Sequence, residues 1–183
     1  GGFDIGGGST LTFDGGRYIL DPAATVTGTG RLIVDGGSFV DVQGPFTLDG
    51  EVDVLDGTLS LDDGDFGGQI HAVFTVAADG LLVFGGGKFD MVSENVMGDG
   101  HILVTGGSIV VIDGIYRIAS TEVRDGTLSL MLGDGGSSGA FHVGDAGALE
   151  FHYGSFDTSA KGIDGTGSVV VNGATVAFGS SDH

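Results

Sequence analysis

The 183-residue sequence contains no cysteine, few basic residues and no long apolar run. Without cysteine the chain has no disulfide, no thiolate metal site and no thiol nucleophile. No stretch approaches the roughly 18 consecutive apolar residues that a membrane helix requires, so we expect no membrane insertion of this segment. Helical periodicity is also missing throughout the sequence, which indicates a fold without α-helices.

Cations are scarce. Six Lys and Arg residues stand against 25 Asp and Glu residues, which gives a formal net charge of −19. Such a surface is a poor match for nucleic-acid phosphates or for anionic lipid. We therefore expect no nucleic-acid partner, and expect any partner to be cationic or neutral. Eleven aspartates directly precede glycine, a dipeptide that is typical of turns.

The beginning of the chain lacks the features of a secretion signal. It opens on Gly1-Gly2 and has no basic segment followed by an apolar run. No domain boundary is visible between residues 1 and 183. We interpret the chain as a single β-solenoid domain, processed or excised from a repeat array.

What the sequence does contain is a short phrase that occurs eight times: an apolar residue, one spacer, a second apolar residue, two spacers and a glycine, which is replaced by Ala174 in the last copy. Most copies follow one another after 20 or 21 residues, and two longer steps measure 30 and 26. A fixed period with stacked apolar and glycine columns is the signature of a solenoid. The phrases begin at Leu11, Leu32, Val52, Leu82, Ile102, Leu128, Leu149 and Val169.

Each phrase has the alternation of a half-buried strand and is followed by a glycine corner and a second short strand. About 20 residues per coil and parallel stacking predict an all-β fold, a right-handed parallel β-helix (β-solenoid) of about eight coils. We expect Leu32, Val52, Leu82 and Ile102 to stack as one buried column. A further apolar column, seven residues after each phrase start, includes Phe39 and Ile109. The corner glycines, which should exclude a Cβ, include Gly37, Gly57 and Gly107.

The two longer steps predict extra residues that protrude as loops, where function often lies. The first extends the third repeat by about ten residues around 62–71, and its acidic cluster indicates a solvated loop; these acids are Asp62, Asp63 and Asp65. The second extends the fifth repeat by about six residues around 115–124. It is either a solvated bulge or a recognition loop, and the binding candidates in it are Tyr116, Arg117, Glu122 and Arg124.

Four aspartates occupy the position three residues before a phrase start in four consecutive repeats: Asp49, Asp79, Asp99 and Asp125. If these carboxylates stack along one corner, about 4.8 Å apart, their repulsion requires screening by solvent or cations. Ca²⁺ is the natural counter-ion because it binds carboxylate and carbonyl oxygens. The alternative is that each aspartate only makes turn hydrogen bonds before its glycine.

Two segments carry a resemblance to a known class of proteins. Gly30-Arg31-Leu32-Ile33-Val34-Asp35-Gly36-Gly37-Ser38-Phe39 and Gly165-Thr166-Gly167-Ser168-Val169-Val170-Val171-Asn172-Gly173 resemble the glycine-rich repeats of bacterial β-helical surface proteins. These proteins include autotransporter passengers and the stalks of large secreted adhesins. The resemblance covers nearly the whole chain and carries no catalytic signature. It implies an extracellular or cell-surface location and a structural or adhesive role.

The sequence thus favours a non-enzymatic scaffold, the shaft of a bacterial surface adhesin or secreted fibre. Expected partners are other copies of the chain or adjoining repeats, and a host or matrix surface ligand. No cofactor is required, and Ca²⁺ is the one candidate ion. Two alternatives stay open. With no capping helix visible at either end, the chain is also suited to a self-assembling filament, and its many aspartates are compatible with a β-helical polysaccharide lyase or glycosidase.

Overall fold

The computed structural model describes residues 1–62, 69–92 and 95–179. Every regular element in these ranges is a β-strand, as the absence of helical periodicity predicted. None of the described residues forms a helix long and apolar enough to cross a membrane. The seventeen strands are β1 (Gly2–Ile5), β2 (Thr10–Asp14), β3 (Arg17–Leu20), β4 (Thr25–Gly28), β5 (Arg31–Asp35), β6 (Ser38–Val42), β7 (Phe46–Leu48), β8 (Glu51–Leu61), β9 (Val73–Phe84), β10 (Lys88–Val92), β11 (Val96–Val104), β12 (Ser108–Asp113), β13 (Tyr116–Ser137), β14 (Ala140–Thr158), β15 (Ile163–Gly165), β16 (Ser168–Val171) and β17 (Ala174–Phe178).

The strands stack in parallel on strands one turn away. Leu11 is paired with Leu32, and Leu32 with Val52, so the ladder advances by about 20 residues at each step. The same parallel pairing continues to the last strands, where Leu149 is paired with Val169. The protein is therefore a parallel β-solenoid of about eight turns, which confirms the predicted architecture.

Each turn passes over three faces in the same order. The first face begins with the three-stranded sheet β1, β4 and β7, and it continues with Ile70, which bridges to Met91, and then β10, β12, residues 126–130 and 146–151, and β16. The second face is formed by β2, β5, residues 51–54, 73–76, 96–98, 116–118, 132–137 and 153–158, and β17. The third face is formed by β3, β6, residues 57–61, 80–84, 101–104, 120–123 and 140–143, and β15.

The interior is a continuous apolar column enclosed by the three faces. Alternate residues of each strand point inward, so that in β5 Leu32 and Val34 are fully buried while their neighbours are not. Buried serines at the corners join successive turns. The Ser38 hydroxyl donates to the Phe13 carbonyl oxygen (3.2 Å), and the Ser108 hydroxyl donates to that of Phe84 (3.1 Å). Burial of the apolar side chains is the main stabilising term.

The predicted stacking of the phrases is right within groups of repeats and wrong between them. Val52 is paired with Phe74, not with Leu82, and Leu82 is paired with Leu59. The phrase lies on the second face in repeats one to three, on the third face in repeats four and five, and on the first face in repeats six to eight. All four residues of the predicted column are buried, but they belong to two columns.

This shift of face explains the two longer steps in the sequence. A step of 30 or 26 residues is one turn plus one side of the solenoid, after which the phrase resumes on the next face. The predicted loop around 115–124 is therefore wrong, since residues 116–137 form the continuous strand β13. For the first step, residues 63–68 lie outside the described part of the chain.

In the further apolar column, seven residues after each phrase start, the prediction of which side chains point inward is wrong at two positions. Phe39 points outward and packs its ring on the Arg17 guanidinium, 4.7 Å from the ring centroid. Ile109 is 47% exposed, whereas its neighbours Ser108 and Val110 are fully buried. The inward position after these corners is the serine that follows the two glycines, because its hydroxyl reaches a carbonyl of the preceding turn.

An engineered disulfide tests this register in a chain that has no cysteine of its own. Asp56 and Asp79 are paired residues of adjacent strands, and both are exposed. Neighbouring parallel strands lie about 4.8 Å apart, within the range that a disulfide spans. We expect Asp56→Cys/Asp79→Cys to oxidise to an intramolecular disulfide, measured by thiol titration. Asp49→Cys/Asp79→Cys, the pair that a single aspartate column would favour, should keep both thiols; the reverse pattern would contradict the described register.

Candidate functional site

The four predicted calcium aspartates do not form one column. Asp49 precedes a strand of the second face, and Asp125 precedes a strand of the first face. Asp79 and Asp99 each stand two residues before partners in the third face, Leu81 and His101. The prediction is wrong in this respect because it followed the phrase, and the phrase changes face. The four carboxylates therefore lie at three different corners of the solenoid.

Several corner aspartates make hydrogen bonds that hold a turn. The carboxylate of Asp125 accepts the backbone N–H of Gly107 (2.7 Å) from the preceding turn, and that of Asp35 accepts the N–H of Gly36 (2.8 Å). The N–H of Gly136 donates to Asp134 (2.9 Å) and lowers the pKa of that carboxyl. Within residues 1–62, 69–92 and 95–179 no group of three or more histidines and acids converges as a metal site. Of the four candidate aspartates, Asp125 is the one whose carboxylate accepts a hydrogen bond in the described part of the chain, and this bond joins two successive turns.

The four candidate recognition residues are divided between the interior and the surface. Tyr116 is only 5% exposed, and its hydroxyl hydrogen-bonds Thr121 Oγ1 at 2.6 Å. It occupies an inward position of β13, so it packs in the core and is not available to a partner. Burial raises the pKa of the Tyr116 hydroxyl.

The two arginines of this set are held in ion pairs on the surface. Arg117 pairs with Asp134 (Nη2–Oδ2 2.5 Å), and Arg124 pairs with Glu122 (Nε–Oε1 2.9 Å). The hydrogen bond to Glu122 raises the pKa of Arg124. A partner that binds either arginine must therefore compete with an intramolecular carboxylate.

An open depression on the third face brings together groups that are far apart in the sequence. Its lining includes Asp79, Leu81, His101, Glu122 and Arg124. The depression spans three successive turns, because Leu81, His101 and Ser120 are paired in sequence across them. It offers a mixed polar and apolar surface, and it is open to solvent.

Sequence reasoning missed a carboxyl pair between two neighbouring turns. Asp41 is 7% exposed, and its Oδ2 accepts a hydrogen bond from Gln43 (2.9 Å). Asp41 Oδ1 is buried, with no hydrogen-bond partner in the described part of the chain. Asp62 lies against Asp41 and accepts a hydrogen bond from Ser60 (3.1 Å). The one-turn spacing from Asp41 to Asp62 was the available signal.

The pKa of Asp62 is raised, mainly by burial and secondly by the contact with Asp41. The direction of this shift follows from charge, since a neutral Asp62 carboxyl does not repel Asp41, whereas two ionised carboxylates would repel each other. Of the acidic cluster Asp62, Asp63 and Asp65, the last two lie outside the described residues. Asp62 itself follows the end of β8, is half-buried and lies against Asp41 of the preceding turn.

The Asp41–Asp62 pair predicts a pH-dependent gain from one substitution. Because the pKa of folded Asp62 is raised, its favourable contribution is complete below its unfolded pKa and is lost as pH rises through the folded pKa. Asp62→Asn should therefore raise the melting temperature by about 2–4 °C at neutral pH. The advantage should disappear on acidification to below about pH 4. Thermal melts across pH, with the exposed Asp99→Asn as control, measure it; equal shifts in both variants would contradict the pairing.

Two histidine contacts complete the polar surface of the later turns. His142 Nδ1 lies 2.5 Å from Asp164 Oδ1 in the adjacent turn. His152 Nε2 lies 3.2 Å from Glu150, which also accepts a hydrogen bond from Ser129 (2.8 Å). The Ser129 bond is the largest contribution to the lowered pKa of Glu150. The His142–Asp164 and Ser129–Glu150 contacts join neighbouring turns on the outer surface, whereas the His152–Glu150 contact lies within one turn.

The chain matches no family profile, no curated protein and no solved structure. The class that the fold defines is the parallel β-solenoid.

Proposed function

We propose that this chain is a non-enzymatic structural segment, the shaft of a bacterial surface adhesin or secreted fibre, located outside the cell or on its surface. The observation that carries the proposal is the repetition of one solenoid turn along the described residues. One apolar interior runs through about eight turns, which at about 4.8 Å each give a rod on the order of 40 Å long. Such a rod holds other parts of a protein at a fixed distance.

The outer surface supports a presenting role. Arg31, Arg117 and Arg124 are already engaged in ion pairs with carboxylates of the same chain. The depression on the third face extends across three turns and is open to solvent, a surface that suits contact with a broad partner. A host or matrix ligand would bind to these outer faces, while the apolar interior keeps the turns stacked.

Removal of one whole turn tests the shaft function. Deleting residues 96–115, which contain β11 and β12, removes one turn, because Val96 at the start of β11 is paired with Tyr116 at the start of β13. Because each turn contacts only its neighbours, the shortened chain should fold and its rod should lose about 4.8 Å in length. Small-angle scattering and thermal melts measure both. Collapse of the fold would contradict an additive shaft.

An activity screen separates the shaft from the enzymatic alternative. The chain is incubated with neutral and uronate-containing polysaccharides, and new reducing ends and unsaturated products are measured. We expect neither above the background of a heat-denatured sample. Reproducible cleavage that is lost in a surface variant of the third-face depression, Glu122→Gln, with folding retained, would overturn the proposal.

A further inference from the structure

Two aspartates in the described part of the chain are buried although they occupy outward positions of their strands. Asp41 and Asp53 are each 7% exposed, and the residues on both sides of each of them point into the apolar interior. Arg31 supplies a cation to Asp53, with Nε 2.5 Å from Oδ2. No lysine or arginine forms an ion pair with Asp41 within residues 1–62, 69–92 and 95–179. Because burying a carboxylate is costly unless its charge is compensated, Asp41 requires a partner of another kind.

The hydrogen bonds of Asp41 satisfy only one of its two carboxylate oxygens. The Gln43 side-chain amide donates to Oδ2 (2.9 Å). Oδ1 is buried and accepts no hydrogen bond from any described residue. In native proteins a buried polar atom of this kind is commonly satisfied by an ordered water or a bound ion. Since Asp41 carries a charge as well as an unsatisfied oxygen, a cation meets both requirements.

A second carboxylate lies against Asp41 from the next turn. Asp41 is paired with Ser60, and the side chain of Asp62, two residues further on, contacts that of Asp41. The buried Ser60 hydroxyl donates to Asp62 Oδ1 (3.1 Å). The same oxygen lies against Gly85 of the following turn, where a Cβ would collide with it. The Asp62 carboxylate is therefore held beside Asp41 by contacts within its own turn and with the next.

The groups gathered at this place are all hard oxygen donors. They are two carboxylates, the Ser60 hydroxyl and the side-chain amide of Gln43, and such donors suit Ca²⁺ and Mg²⁺. We infer that Asp41 and Asp62 bind one Ca²⁺ between two successive turns of the solenoid. A divalent cation balances the two carboxylate charges, which otherwise repel each other. Ca²⁺ accepts an irregular set of ligands, whereas Mg²⁺ demands near-ideal octahedral geometry.

This site differs in place and in composition from the corner aspartates that the sequence predicts as calcium ligands. Its two carboxylates come from adjacent turns of one face, whereas those four aspartates lie at three corners. Two carboxylates leave part of the coordination to water, so we expect moderate affinity, with a Kd of about 0.1–1 mM. Ca²⁺ stabilises the folded chain because unfolding separates the two carboxylates.

Thermal melts of the full chain at neutral pH, in EDTA and in about 10 mM CaCl2 at constant ionic strength, test the site. The melting temperature of the parent should rise by about 3–8 °C in calcium. Asp62→Asn should melt higher than the parent in EDTA, because the repulsion is removed, yet gain less than about 1 °C from calcium. Asp56→Asn is the matched control, since Asp56 is an exposed residue of the same strand as Ser60. This control should keep the full calcium shift.

Calorimetric titration with CaCl2 supplies a second measurement. The parent and Asp56→Asn should each bind one Ca²⁺ with similar affinity, and Asp41→Asn should weaken binding by about tenfold or more. Equal calcium shifts in the parent, Asp41→Asn and Asp62→Asn would assign the response to screening of the net charge and overturn the inference, as would a parent that does not respond. MgCl2 that binds as tightly as CaCl2 would overturn the choice of ion. Each of these results leaves the proposed shaft function intact, because that function rests on the repeated turns.

Discussion

Replacing Val110 with aspartate should destabilise the protein by at least about 3 kcal/mol. Val110 is fully buried in β12 between Phe89 and Leu128 of the adjacent turns. A carboxylate at this position has no cationic or hydrogen-bonding partner in the apolar interior. It must either be protonated at a cost or expel the strand from the ladder. For a chain of this length, the loss corresponds to a fall in melting temperature of roughly 6–12 °C.

Ile109→Asp is the matched control for this substitution. Ile109 is the preceding residue of the same strand and is 47% exposed. Both variants add one negative charge to the same region, so the difference between them isolates burial. We expect Ile109→Asp to change stability by less than about 1 kcal/mol. The apolar column predicted from the sequence places Ile109 inside, so it predicts the larger loss for Ile109→Asp. The two melting temperatures therefore decide whether Ile109 or Val110 points inward.

The second large effect concerns the corner glycines. Gly57 has a φ of +118°, and a Cβ there would collide with the Ser38 carbonyl oxygen of the neighbouring turn. Gly107 has a φ of +70° with open space around the position of a Cβ. Gly57→Ala therefore combines backbone strain with a collision and should cost at least about 3 kcal/mol. Gly107→Ala carries only the left-handed strain and should cost about 1–2 kcal/mol.

Denaturant titrations of the two variants measure this difference. Gly107→Asn should recover part of the loss, because asparagine adopts the left-handed region more readily than alanine. The same replacement at Gly57 should give no recovery, since the collision remains. Equal losses for Gly57→Ala and Gly107→Ala would contradict the distinction between conformation and contact. An unchanged stability of Gly107→Val would contradict the role of that corner altogether.

The sequence was sufficient for the period, the parallel stacking and most of the buried residues. Alternation such as Leu32-Ile33-Val34 requires only that every second residue points inward, and this condition holds on any face. For the same reason the sequence does not reveal which face a phrase occupies. Val52 and Leu82 follow the same pattern, and only the pairing of Val52 with Phe74 separates their columns.

The site predictions depended on that register and shared its errors. Asp49, Asp79 and Asp125 share the same distance from the phrase, but that distance leads to a different corner whenever the phrase changes face. A step of 26 residues is longer than one turn, so the sequence predicts a loop at Tyr116, whereas Tyr116 is an inward residue of β13. The Asp41–Asp62 contact lies between turns, so only a correct register brings the two residues together.

The phrase moves from one face of the solenoid to the next along the chain. One side of the solenoid, rather than a whole turn, is therefore the unit of length that can be added to this chain or removed from it. A gain or loss of about eight residues carries the pattern to the next face and leaves the interior filled, as the steps after Val54 and Val104 illustrate. The outward spacer of the phrase then changes direction too: Ile33, Leu103 and Glu150 stand on three different sides of the rod. Any ligand group introduced at that spacer would follow a coarse spiral, and a partner approaching from any direction would meet a copy of it.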